Sequence, residues 1–177
     1  DTLEIDKIVQ DQISLYNFEG TVLIAENGDI VYQRSAGYND RETQRIIDND
    51  TKFGIASITK MLTAIVILEL VEDGKLSLQD NLAALLPGFN IQGGENITVY
   101  HLLLHISGLP NENDSIYLSK KSPEEFVREI LNEKGESGEL GKYNYANIDY
   151  VLLGLIIEKK TGMSWQDAVD KRIIEKL

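Results

Sequence analysis

Phe53-Gly-Ile-Ala-Ser57-Ile-Thr-Lys60-Met-Leu-Thr-Ala-Ile-Val-Ile-Leu-Glu-Leu-Val-Glu-Asp-Gly74 is the stretch around which the chain is organised. Its spacing predicts one helix from about Ser57 to Glu72. Gly74 closes it, because glycine takes positive φ past a helix end without penalty. Ile58, Met61, Leu62, Ile65, Val66, Ile67, Leu68, Leu70 and Val71 put apolar side chains on nearly every face, which is the pattern of a buried helix. The polar groups gather at the front. Ser57 precedes Lys60 by three residues, so the two share a face with Cβ atoms roughly 5–6 Å apart.

That placement has chemical consequences. A lysine removed from water is disfavoured as a cation and can take a proton from a neighbouring hydroxyl. A helix N-terminus favours negative charge developing on an attacked oxygen. The plainer alternative is that Ser57 only caps the helix while Lys60 reaches to water. Partners elsewhere in the chain decide between the two.

The 177 residues allow one domain, or a domain and part of another, and 42% apolar residues suffice for a core. A net charge of −12 argues against nucleic acid or an anionic membrane surface as a main partner. The chain has no cysteine, which excludes thiol catalysis, disulfides and cysteine-ligated metal. The longest apolar run, Ala64 to Leu68, is far too short to span a bilayer. The first residue is Asp1 rather than Met, so a processed or trimmed start is expected.

Taken in order, Thr2 is expected to cap a first helix that carries Leu3, Ile5, Ile8, Val9 and Ile13 on one side. Thr21–Ala25 and Ile30–Ala36 read as two strands joined at Asn27-Gly28, a strong hairpin signal. Gly37 to Asp50 reads as irregular. Lys75 to Asp80 reads as a turn with two inward leucines, and a short helix is expected over Leu82–Leu86, stopped by Pro87. Gly93-Gly94 is a loop. Thr98 caps a helix over Val99–His105, and a polar loop follows from Asn111 to Lys121. Ser122-Pro123-Glu124-Glu125 is a helix start with a capping box. Gly135 to Gly141 reads as loop. Asn147 is expected to cap a helix over Ile148 to about Lys160, closed by Gly162, and Ser164 with Asp167 starts a last helix running to Leu177.

One helix and one hairpin come first and a helical block follows. This predicts an α+β protein with an N-terminal portion of a sheet domain over 1–52 and a helical domain over 53–177. Two strands are marginal alone, so the sheet is expected to be completed by strands beyond this chain, making it the N-terminal part of a longer protein.

Tyr145-Ala146-Asn147 lies at a loop-to-helix junction. A tyrosine beside a cationic lysine has a lowered pKa and can shuttle a proton. An asparagine amide can hold a carbonyl or orient a lysine. The alternative is a core tyrosine and a helix cap. His101 and His105 have metal-ligand spacing, but no Glu follows His101, and a structural His105 bonding backbone near Gly108 is the favoured reading. Gly135 to Lys142 fails the phosphate-loop spacing by one residue, and no Gly-x-Ser-x-Gly elbow exists. No motif implies a cofactor or a metal.

Taken together, residues 18 to 177 resemble the serine β-lactamase-like family: class C β-lactamases, D-alanyl-D-alanine carboxypeptidases and related esterases. The resemblance is carried in order by Phe18-Glu-Gly-Thr-Val-Leu-Ile-Ala25, by Phe53 to Lys60, by Leu70 to Asp80, by Ile97 to Pro110 with Ile106 in place of threonine, and by Tyr145-Ala-Asn147. It implies that Ser57 is the acylated nucleophile, that Lys60 and Tyr145 share the acid and base work, and that Asn147 binds the substrate amide. It also implies that the Ser57 N–H supplies half of an oxyanion hole. The other half, and the family's Lys-Thr-Gly strand, are expected outside this chain, so residues 1–177 alone are expected to be inactive unless a second chain completes them. Lys160-Thr161-Gly162 matches that motif in letters only, since it ends a predicted helix. The substrates implied are β-lactams or D-Ala-D-Ala peptides of the cell wall. The readings kept beside this are an esterase, or a weakly catalytic penicillin- or peptidoglycan-binding sensor. The expected setting is extracytoplasmic.

Overall fold

The computed structural model describes residues 1–132 and 137–177, the side chains of 114 and 115 excepted. The loop expected over Gly135–Gly141 therefore lies partly outside the described residues. Two compact units are present, Asp1–Gly54 and Ile55–Leu177.

In the first unit, α1 (Thr2–Tyr16) is capped by Asp1 rather than Thr2, with Asp1 Oδ1 accepting from the Leu3 N–H at 3.1 Å. The antiparallel strands β1 (Gly20–Glu26) and β2 (Asp29–Ala36) pair with Gly20 opposite Ala36. Asn27 and Gly28 have φ of 53° and 91°, both positive, as the hairpin turn signalled by Asn-Gly requires. Asp6 ties α1 to β2 by accepting from Arg34 at 2.8 Å and from the Tyr32 hydroxyl at 3.0 Å. The stretch expected to be irregular holds a second small hairpin, β3 (Tyr38–Asp40) and β4 (Arg45–Ile46). Its polar residues make the turn: Asp40 Oδ1 accepts from the N–H groups of Glu42 at 2.9 Å and Thr43 at 3.3 Å.

The second unit is helical: α2 (Thr59–Glu72), α3 (Leu82–Leu85), α4 (Val99–Leu103), α5 (Pro123–Asn132), α6 (Asn147–Thr161) and α7 (Trp165–Arg172). A 3₁₀ turn, Ala56–Ile58, precedes α2, so the helix expected from Ser57 is α-helical only from Thr59. The expectation of a helix buried all round is met by α6 rather than α2. α6 packs against α2, α4, α5 and α7, and Ile148, Leu152, Leu153, Leu155, Ile156 and Ile157 are all buried. α2 buries Val66, Ile67 and Leu70 but leaves Met61, Ile65 and Leu68 exposed, as is Ile58 just before it. Those four exposed residues recur at intervals of three and four, so they form one stripe. The indole N–H of Trp165 on α7 reaches Thr63 Oγ1 on α2 at 3.0 Å.

Other boundaries move for local reasons. α4 stops at Leu103 and the chain turns through His105, whose φ is 55°. A 3₁₀ turn, Asp114–Leu118, lies in the stretch expected to be loop. α7 ends at Arg172, and a 3₁₀ turn, Ile174–Lys176, follows. The capping boxes at Ser122/Glu125 and Thr98/His101 are formed, the second with a histidine in the usual Glu or Gln place. Gly162 closes α6 with φ 69°, so Lys160-Thr161-Gly162 is a helix end. Among the described residues, no helix is long and apolar enough to cross a membrane.

Candidate active site

The site forms where the start of α2 meets the start of α6. Ser57 lies in the 3₁₀ turn, directly after Ala56, whose φ of 43° is uncommon for an L-residue with a Cβ. Such backbone strain is held only where surrounding structure demands it. Lys60, one turn on, is half-buried. Its ammonium donates to Ser57 Oγ at 3.1 Å and to Asn147 Oδ1 at 2.6 Å. The Tyr145 hydroxyl and Ser57 Oγ are 2.8 Å apart. The ammonium also stands 4.8 Å from the centre of the Tyr145 ring and 5.8 Å from that of Tyr150, within cation–π range. The four residues picked from the sequence thus form one hydrogen-bonded chain, Tyr145–Ser57–Lys60–Asn147.

Tyr145 is held below the usual phenol range by its interaction with the Lys60 ammonium and, next, by its hydrogen bond with Ser57. This is the direction expected of a tyrosine beside a cationic lysine. Asn147 does not cap α6. Ala146 holds the cap position with no side-chain hydrogen bond, and the Asn147 amide turns into the site instead.

The backbone under Tyr145 is stitched to the turn after α4. The Asn144 N–H donates to the His105 carbonyl at 2.8 Å, the Gly141 N–H to the Ile106 carbonyl at 2.9 Å, and the Asn111 side-chain amide to the Tyr145 carbonyl at 2.8 Å. Gly108, with φ 72°, permits this approach, because a Cβ there would stand 2.9 Å from the Leu140 nitrogen.

His105 does not bond backbone near Gly108 as expected. Its Nδ1 lies 3.0 Å from Asp149 Oδ2, and Ser107 Oγ donates to Asp149 Oδ1 at 2.6 Å. The His105 ring also lies against Tyr145, with ring centres 4.5 Å apart. Asp149 is wholly buried, and burial pushes its carboxyl up to about 7. Burial also lowers the His105 imidazole, with the Lys60 charge adding to it. Below about pH 7 both directions favour an uncharged pair with the proton on the carboxyl and Nδ1 as acceptor, and the Ala146 N–H also points to Nδ1 at 3.4 Å. His101 is engaged separately, in the Thr98 capping box. Among the described residues, no group of three or more His, Cys, Asp or Glu side chains is placed to hold a metal ion.

Sequence reasoning missed Glu112, Tyr117, Ser107 and Asp149. Glu112 accepts from the Asn147 side-chain amide and from the Tyr117 hydroxyl. Asp149 reads in the sequence as an ordinary acid in a first helical turn. Its pairing with His105 spans 44 residues and has no local signal. A cavity of about 630 Å³ opens beside Ser57 and Lys60, and Phe126, Val151, Leu155 and Trp165 give it an apolar wall.

A family model described as Beta-lactamase matches residues 5–177. The chain is 38% identical over 165 residues to penicillin-binding protein 4* of Bacillus subtilis, covering 89% of this chain and 36% of that protein. The octameric penicillin-binding protein homologue from Pyrococcus abyssi superposes with a TM-score of 0.85 at 33% identity, over 99% of this chain and 42% of that one. D-amino acid amidase from Ochrobactrum anthropi superposes with a TM-score of 0.81 at 27% identity, over 94% of this chain and 48% of that one. The chain thus spans less than half the length of each of these relatives. With a match over nearly its whole length and the resembling motifs meeting in one site, the chain belongs to the Beta-lactamase family of serine hydrolases.

Proposed function

We propose that this chain carries the acylation centre of a serine hydrolase or acyltransferase that forms an acyl-enzyme on Ser57. The observation that carries this reading is the pair of hydrogen bonds at one serine oxygen, one shared with the Tyr145 hydroxyl at 2.8 Å and one from Lys60 at 3.1 Å. The Lys60 ammonium only donates, so when Tyr145 is a phenolate the serine's own hydrogen is the one shared with Tyr145 Oη. In this mechanism Tyr145, held low by Lys60, takes the proton as Ser57 Oγ bonds to the acyl carbon. Tyr145 then returns that proton to the leaving nitrogen or oxygen as its bond to the acyl carbon breaks. Water or an amine repeats the sequence in reverse and releases the acyl group. The Ser57 N–H sits in the first turn, where helical N–H groups lack intrahelical acceptors, and is the oxyanion donor this chain offers.

The favoured substrates are β-lactams or D-Ala-D-Ala peptides of the cell wall, met outside the cytoplasm. The similarity to penicillin-binding protein 4* supports this choice. The apolar cavity wall supports a second reading, an esterase or amidase acting on an apolar or aromatic acyl group. The similarity to D-amino acid amidase is consistent with that reading.

The test is intact-mass spectrometry of the whole protein after incubation with a penicillin. A penicilloyl adduct mapping to Ser57 is expected. In Ser57→Ala the adduct is lost while stability stays within about 1 kcal/mol of the parent, as for an exposed site residue. An adduct that persists in Ser57→Ala overturns the assignment.

A further inference from the structure

A primary amide can present its oxygen or its nitrogen to a neighbour, so its orientation has to be set by what lies on each side. On one side of Asn147 stands Lys60, which can only donate. On the other stands Glu112. Its Oε1 accepts from Asn147 Nδ2 and also from the Tyr117 hydroxyl at 2.7 Å. Tyr117 in turn lies 3.1 Å from Asn147 Nδ2. Burial pushes the Glu112 carboxyl up, but hydrogen bonds from Tyr117, from its own backbone and from the Asn147 side chain and backbone outweigh it and leave the group below its ordinary value. Glu112 is therefore a carboxylate, and a carboxylate only accepts.

Among the described residues, its second oxygen, Oε2, is buried without a hydrogen-bond partner. A buried carboxylate oxygen lacking a donor is unfavourable. Packing alone would favour an apolar side chain here, so what distinguishes the carboxylate is the pair of hydrogen bonds that Oε1 accepts from Tyr117 and Asn147. The negative charge also lies at the start of α6, whose cap residue Ala146 contributes no side-chain acceptor.

We propose that Glu112 is a positioning residue that pins the Asn147 amide with its oxygen on Lys60 and its nitrogen toward Glu112 and Tyr117, and so holds the Lys60 ammonium against Ser57. The inference rests on the acyl-transfer reading above. A donor-only group at one end of the amide and an acceptor-only group at the other leave Asn147 a single orientation. One Nδ2 hydrogen is taken by the carboxylate. The other, now facing the Tyr117 hydroxyl, is the one a substrate carbonyl would take by displacing Tyr117.

The test uses the intact protein as wild type, Glu112→Ala, Glu112→Gln and Ser57→Ala. Acylation by a fluorescent penicillin is followed against concentration and pH, and the Asn147 side-chain NH₂ resonances are followed by NMR. In Glu112→Ala the maximal acylation rate is expected to fall about 10- to 100-fold, as for a small misplacement of a reacting group, with half-saturation changed less than about threefold. Glu112→Gln keeps an oxygen acceptor and recovers part of the rate. It removes a charge that raises Tyr145, so the rising limb of the pH–rate profile moves to lower pH. The charged or titratable groups around Tyr145 are Lys60 on α2, His105 after α4, Glu112, and Asp149 and Tyr150 on α6.

The Asn147 NH₂ protons are expected to be protected from exchange in wild type, less so in Glu112→Gln, and unprotected in Glu112→Ala. Unchanged protection in Glu112→Ala overturns the positioning role whatever the substrate is. So does a rise in half-saturation alone, which would place Glu112 on the substrate itself. Labelling that survives in Ser57→Ala overturns the acyl-transfer reading, while the exchange result still judges the role of Glu112.

Discussion

Residues 55–177 hold a continuous core running from Val66 on α2 to Val169 on α7, whereas in residues 1–54 Val9 and Ile47 are the buried apolar side chains. Leu3, Ile8, Leu15, Leu23 and Ile30 of the first unit are exposed. The difference follows from element type. A helix such as α6 meets four neighbours around its circumference and buries most of its surface. A two-stranded hairpin has two faces and two open edges, and one helix covers only part of that surface. The candidate site belongs to the unit with the core, and this is why four polar side chains can be held there within hydrogen-bond distance.

The largest expected effect tests the core directly. Leu152→Ala, at a position 0% exposed on α6, should destabilise the second unit by about 2–5 kcal/mol in denaturant unfolding followed by the fluorescence of Trp165, the chain's single tryptophan. A loss below about 1 kcal/mol would break the contrast between the units.

A second effect appears in pH dependence. The Asp149 carboxyl titrates near 7 in the folded chain against an ordinary value of 3.8. Between these values the native state binds more protons than the unfolded state, so this group makes stability fall as pH rises from about 4 to about 7. His105, lowered from 6.5, acts with the opposite sign on the acid side of that value. The substitution Asp149→Asn puts a neutral amide in place of the protonated acid, so wild type should lose stability relative to the variant as pH rises through this window. A pH-independent difference in melting temperature would mean that the carboxyl is not held neutral.

Two smaller effects sharpen the picture of the first unit. Gly28→Ala places a Cβ where nothing lies within 4 Å, so its cost is that of φ +91° alone. That cost is about 1 kcal/mol. It should show as faster hydrogen exchange in β1 and β2 with no change in the Trp165 unfolding signal. Leu23→Ala, at a 51% exposed position, should change stability by no more than about 0.5 kcal/mol. A larger loss would show that this side chain is covered in the intact protein.

Several features were legible because their causes are local. Asn27-Gly28 makes its turn, Ser122 with Glu125 starts α5, and Gly162 ends α6. Each depends on backbone preferences within a few residues. The site residues Ser57, Lys60, Tyr145 and Asn147 were legible for another reason, since their types and order match a family pattern. Errors came where tertiary contact overrides local preference. α2 is the more apolar helix in sequence, yet α6 is the one surrounded, because burial depends on neighbours. Asn147 carries a helix-cap side chain, yet it bonds Lys60, 87 residues away, and leaves the cap position to Ala146.

The Asn27-Gly28 turn, the caps at Thr98 and Ser122, the helix end at Gly162 and the choice of the four candidate residues follow from the order of amino acids alone. Folding decided which apolar faces are covered, that Lys60 reaches Asn147, and that Glu112 stands behind that amide. It also decided that Asp149 is buried against His105. The physical reason is range. Dihedral preferences and capping bonds act over three or four residues, whereas burial, amide orientation and the proton on a buried acid depend on groups that folding brings together from distant parts of the chain.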